Sequence, residues 1–150
     1  MSARLTFDDS LWPLVIFRPA GVMTNGQFEE FLTRSASYLE RGEPYVSITD
    51  ARQAGMPPLD QLRRLSEWLD TNSDRLREQV LCNAIIVTSA AMRLSMSLVF
   101  HLKPQPMPHR AMSDMESALE YALDKLRESG RVADAERIQR HFAASSAHVG

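Results

Sequence analysis

One cysteine, Cys82, is present in 150 residues. A single thiol excludes an internal disulfide and any zinc site built from clustered cysteines. Glycine is scarce as well: six residues, scattered, with no GxGxxG or Walker-type phosphate loop. Positive charge is not in excess, with 17 basic against 19 acidic residues and a net charge of -2. That balance excludes a strongly basic footprint, and no nucleic-acid partner is expected. Long apolar runs are missing. The longest aliphatic run is Ala84-Ile85-Ile86-Val87, and the greasier stretch after it is interrupted by Arg93, His101 and Lys103. No segment therefore spans a bilayer core of roughly 30 Å. The first residues lack the basic, apolar and cleavage-site succession of a secretory signal, so a cytoplasmic location is expected. His101, His109, His141 and His148 are too dispersed for a metal-binding spacing. The expectation is a chain without metal or cofactor.

What is present is ordinary globular material: 44% hydrophobic and 24% charged residues in one domain's length of chain. Leu14-Val15-Ile16-Phe17 reads as a buried strand stopped by an Arg18-Pro19-Ala20-Gly21 turn. Arg4 to Phe7 is a candidate partner strand, with Pro13 restricting pairing to an edge or a strand start. Thr24 and Gln27 stand at capping-box spacing. Phe28, Phe31, Leu32, Ala36 and Leu39 then fall on one helical face, ended by Gly42.

Tyr45 to Thr49 is a β-branched and aromatic strand ending at Asp50, followed by a loop from Ala51 to Pro58. Leu59, Leu62, Leu65 and Leu69 mark a second helix, and Asn72-Ser73 interrupts it before a short turn from Asp74 to Gln79. Leu81 to Thr88 is continuous rather than alternating at its apolar end, the pattern of a strand covered on both faces. Ser89 caps a helix over Ala90 to Leu102 that is apolar almost all round. His109 to Met112 is a last short strand. Ser113 and Glu116 form a second capping box ahead of the stripe Met115, Ala118, Leu119, Ala122, Leu123 and Leu126. After Gly130, Val132, Ala135, Ile138 and Phe142 outline a final helix with a frayed end. Strands alternating with helices imply crossover units and a mostly parallel or mixed α/β sheet of four to five strands. The expected division is a domain over 1–128 and a C-terminal helical extension over 129–150.

This order resembles a STAS domain of the SpoIIAA-like group, which is related in fold to CRAL-TRIO lipid-transfer domains. The residues that carry the likeness are the Arg18-Pro19-Ala20-Gly21 segment leading into an amphipathic helix and Glu40-Arg41-Gly42-Glu43-Pro44 at its end. The Tyr45 to Asp50 strand, the Pro-led helix with Trp68, the strand through Ala84 to Val87 and Pro106-Met107-Pro108 complete it. The resemblance implies a non-enzymatic regulatory or protein-interaction module. The best-known members of that family carry a phosphorylatable Ser or Thr just after the Asp ending the third strand. Here no hydroxyl residue follows Asp50 until Ser66. A phosphate-independent binding role is the expectation, because a hydroxyl is what a kinase partner would modify.

Five residues are candidates for ligand or partner binding. Asp50 and Arg52 stand at the carboxyl end of a central strand, where ligands gather in open α/β sheets. A turn formed by the Asp50 carboxylate is the plainer alternative. Ser89 either receives an anion with a helix N-terminus behind it or simply caps that helix. Met92 and Met96 lie one turn apart, and methionines suit adaptable contact surfaces. Their helix is a lid over an apolar pocket, a partner surface, or a segment buried between the sheet and the extension. No catalytic residue is named, since no nucleophile has a recognisable base and Cys82 reads as a buried hydrophobe. The expected partner is a protein or a second copy of the chain in a homodimer. Carriage of a small apolar, lipid-like ligand under the helix at 90–102 is the alternative.

Overall fold

The computed structural model describes the chain from residue 4 to residue 149, and its side chains as far as residue 144. In chain order the elements are β1 (Arg4–Leu11), β2 (Leu14–Gly21), α1 (Asn25–Glu40), β3 (Tyr45–Asp50), β4 (Gln53–Ala54), α2 (Leu59–Thr71), α3 (Ser73–Gln79), β5 (Val80–Ile86), α4 (Ala90–Leu102), β6 (His109–Met112), α5 (Met115–Glu128) and α6 (Val132–Val149). The six strands form one sheet in the order β1-β2-β3-β5-β6, with β4 attached to β2. β1 and β2 are antiparallel and the other pairings are parallel. The chain dictates this. Only Trp12 and Pro13 separate β1 from β2, enough for a hairpin, whereas the parallel neighbours are joined through helices that cross the sheet.

Local signals place the helices. Thr24 accepts from the Gln27 backbone N–H at 3.1 Å while the Gln27 side chain accepts from the Thr24 backbone N–H at 2.9 Å, closing the expected capping box of α1. Gly42 and Gly130 follow α1 and α5 with φ of +69° and +88°, a backbone region in which a side chain is strained. Ser89 caps α4 by accepting from the Met92 N–H at 3.2 Å.

The two faces of the sheet are packed differently. On one, alternate residues of the inner strands (Ile16, Val46, Ile48, Cys82, Ala84, Ile86) meet α5 and α6 in a closed core containing Leu126, Ala135 and Ile138. The extension helix thus packs within the chain. On the other face, Val15, Tyr45 and Val80 meet Tyr38 and Leu39 of α1, Leu69 of α2 and Leu76 of α3.

Several expectations are corrected. The segment Arg18 to Gly21 is not a turn but the second half of β2. β1 pairs along one side of it, Leu5 opposite Pro19, and β4 pairs with Ala20 and Gly21. The expected loop after Asp50 contains β4, a two-residue strand too short to leave a periodic signal. The cap of α5 is Asp114, which accepts from the Ser117 N–H at 2.7 Å, rather than Ser113, whose hydroxyl receives Arg93 instead. In α2 the positions of Leu59 and Gln61 are reversed: Leu59 is 61% exposed and Gln61 is 3% exposed. α4 has no buried residue, so it is not sandwiched between sheet and extension, because α5 and α6 occupy the opposite face. α6 continues to Val149 where a frayed end was expected. His148 and Gly150 lie outside the described side chains.

Ile138→Ala is expected to cost about 2–5 kcal/mol, the range for a fully buried aliphatic side chain. Urea denaturation checks this; a cost near zero would mean that α6 does not complete the core.

Candidate functional site

The face of the sheet opposite α5 and α6 is not filled. A cavity of about 290 Å³ lies between it and the helices α1, α2 and α4. Its walls come from distinct parts of the chain for distinct reasons. Phe7 of β1, Phe17 of β2 and Phe31 of α1 form a stacked aromatic wall, with Phe17 ring centroids 4.8 Å from Phe7 and 4.7 Å from Phe31. Leu62, Leu65 and Trp68 arrive from the inward stripe of α2. The roof is α4, whose Met92, Met96, Val99 and Phe100 line the space.

Polar groups interrupt this apolar lining, with Ser35, Ser95 and Gln105 at its margins and two clusters within it. At the sheet, Ser47 and Thr49 point to the same side of β3, two residues apart, and Asn83 of β5 stands opposite Ser47 in register. Asn83 Oδ1 accepts from Ser47 Oγ at 3.0 Å and from Thr49 Oγ1 at 3.2 Å. Among the described residues no acceptor meets Asn83 Nδ2. Near the start of α2, Gln61 donates through Nε2 to the Met23 carbonyl at 2.7 Å and to Asn25 Oδ1 at 3.2 Å. That is why a polar residue is buried here: it satisfies a loop carbonyl ahead of α1. Its Oε1 is buried and meets no donor.

The lid is tied at both ends. At its start Arg93 donates to the Val87 carbonyl at 3.1 Å and to Ser113 Oγ at 3.2 Å. At its end Lys103 donates to Asp70 of α2 at 2.7 Å. Its outer side carries Leu94, Leu98 and Leu102, spaced by four and 64%, 59% and 82% exposed.

The structure divides the five expected site residues. Met92 and Met96 line the cavity. Ser89 is engaged as the cap of α4. Asp50 and Arg52 form a pair at the end of β3, with Arg52 Nε and Nη2 donating to the two carboxylate oxygens at 2.8 and 2.7 Å. Arg18 lies 3.8 Å from the same carboxylate, whose side chain is 11% exposed. Hydrogen bonds from the Arg52 guanidinium hold the Asp50 carboxyl below the usual carboxylate range. Partial burial opposes this, and the Arg52 backbone N–H and the charges of Arg52 and Arg18 add to it. Cys82 lies on the other face, and burial pushes its thiol up to about 12, which leaves it an unreactive core residue. Ser47, Thr49, Asn83 and Gln61 were not singled out from the sequence. Their signal was there in part: Ser47 and Thr49 alternate with Val46 and Ile48, and Asn83 interrupts an apolar strand.

Comparison with solved structures finds the same architecture elsewhere. One is an uncharacterized protein of the DUF3478 family with a SpoIIAA-like fold from Shewanella loihica PV-4. It is 14% identical with a TM-score of 0.57, over 81% of this chain and 94% of that one. The chain has a SpoIIAA-like fold. An anti-sigma factor antagonist from Mycobacterium paratuberculosis has the same STAS-type fold, with 8% identity and a TM-score of 0.51 over 81% of this chain and 94% of that one. No family model and no curated protein matches the chain. Within the SpoIIAA-like fold, the Asp50 carboxylate ends the third strand as the sequence resemblance implies, but its oxygens are taken up by Arg52.

Because the folded state depresses the Asp50 pKa, its contribution to stability is present above the ordinary aspartate pKa of about 3.9 and is lost as pH falls through the lower folded value. Asp50→Asn should therefore lower the urea midpoint at neutral pH, and the gap to the unsubstituted protein should close on acidification. A gap independent of pH would contradict the pairing.

Proposed function

We propose that this chain is a non-enzymatic STAS-type regulatory module that binds a small apolar ligand beneath α4. One observation carries the reading: the cavity of about 290 Å³ whose roof is the methionine-bearing helix. Its size stands at the lower edge of small-molecule sites, and its lining is mostly aromatic and aliphatic with a few polar groups, as such sites are. Methionines in the roof let the wall adapt to the ligand's shape. No carboxylate, lysine, arginine, histidine or cysteine is among the described residues lining it. The Ser47 and Thr49 hydroxyls donate to the Asn83 carboxamide rather than to an acid or base, and the Tyr38 hydroxyl is taken up by Asp9 and Arg34, which favours binding over turnover.

The outer side of α4 supports a second reading, in which the same helix meets a protein partner. Leu94, Leu98 and Leu102 form an exposed apolar stripe on the segment that covers the cavity. An occupied cavity would reposition that stripe, coupling ligand to partner. Among the described residues no helix is long and apolar enough to cross a membrane.

N-phenylnaphthylamine, a neutral apolar probe, should brighten on binding the protein. Met96→Trp fills the cavity and is expected to weaken that binding by about tenfold or more while the circular dichroism spectrum is kept. Leu98→Asp, on the outer side, should leave the probe's affinity as it was. Equal affinity for the unsubstituted protein and a folded Met96→Trp variant would remove the cavity reading.

A further inference from the structure

The cavity's polar groups and the kinds of group missing from its wall narrow the chemistry of its occupant. We infer that the site under α4 takes an uncharged ligand, an apolar body carrying a hydroxyl group, and rejects a carboxylate of the same shape. The inference rests on the ligand-binding reading above and goes further by naming the ligand's class.

Two observations carry it. First, the described lining includes eight aromatic residues and five methionines but no cationic side chain. Arg52 and Arg18, the cations near the end of β3, are engaged with Asp50. A carboxylate or phosphate entering the cavity would give up its water with no counter-charge to receive it, and an unpaired buried ion is far more costly than a buried neutral group. Second, the wall carries unused hydrogen-bonding capacity of both kinds. Asn83 has a donor, Nδ2, that meets no acceptor among the described residues, because its Oδ1 is the end turned to Ser47 and Thr49. Gln61 and Gln105 each have a buried acceptor, Oε1, without a donor, and the orientation of Gln61 is fixed by Nε2 donating to the Met23 carbonyl. A hydroxyl is both acceptor and donor. It can accept from Asn83 and still donate, whereas a hydrocarbon satisfies neither group and a carboxylate can only accept. Sites that contain polar groups needing partners discriminate strongly against ligands that leave them unpaired.

The test uses matched pairs: decanol against decanoate, and naphthol against naphthoate, titrated calorimetrically into the full chain at neutral pH. Each alcohol is expected to bind about tenfold or more tightly than its carboxylate, since the carboxylate enters as an uncompensated ion. Asn83→Leu should weaken decanol binding by about tenfold, the loss of one buried hydrogen-bond partner. The wild-type pairs decide the matter even where that variant does not fold. Carboxylates binding as tightly as the alcohols would overturn the neutral-ligand assignment and leave cavity binding standing. Unaltered decanol affinity in a folded Asn83→Leu protein would overturn the assignment of Asn83. Binding of none of the four probes by the wild-type chain would overturn this inference together with the reading on which it rests.

Discussion

Side chains along a β-strand alternate between the two faces of the sheet, and in β3 and β5 that period of two separates two kinds of interior. Val46 and Ile48 point to α5 and α6, as do Cys82, Ala84 and Ile86. Ser47 and Thr49, with Asn83 in register, point the other way into the cavity. A slip of one residue in either strand would bury three polar side chains in a core with no partners for them, and would put aliphatic groups on the cavity floor. The dense side makes the second side affordable in structural terms. Leu126, Ala135 and Ile138 close it without exposure, so the domain's stability does not depend on filling the opposite face.

The open face is kept from collapsing by where its helices are fastened. α1 and α2 are linked through Arg64 and Glu29 at 2.9 Å and through the Gln61 carboxamide at the loop before α1. α4 is held near its ends, at Arg93 and Lys103, rather than by buried residues along its length. Such a helix has little apolar contact holding it down. The elements that move on ligand binding are drawn from the less stable parts of a fold, and α4 has that character. The exposed Lys103–Asp70 pair contributes little to stability by itself, in keeping with the modest worth of surface ion pairs.

Much of this architecture was legible in the sequence, and the parts that were not have physical reasons. The long amphipathic stripes of α1 and α5, the Thr24–Gln27 capping box and the strand through Ala84 to Val87 were all readable, because periodicity and capping are local. The extension of β2 through Pro19 was not readable locally, because the pairing comes from β1 and from β4, a strand of two residues. Gln61 broke the pattern of α2 for a reason set by a distant carbonyl, that of Met23. The cavity itself is a gap between three helices and a sheet, and no stretch of sequence encodes a gap. Met92 and Met96 were legible as unusual, but their greasy helix is compatible with burial or with a lid; only the placement of α5 and α6 on the far face separates the two.

The face beneath α4 is proposed as a binding site for a small uncharged apolar molecule. Native mass spectrometry of the protein purified from its own cells tests this most directly. A population heavier than the bare chain by roughly a few hundred daltons is expected, the size a pocket of this class holds. The added mass should be released on denaturation as a neutral compound. A preparation that carries only the bare chain mass, and stays bare after incubation with an extract of apolar metabolites from those cells, would contradict it.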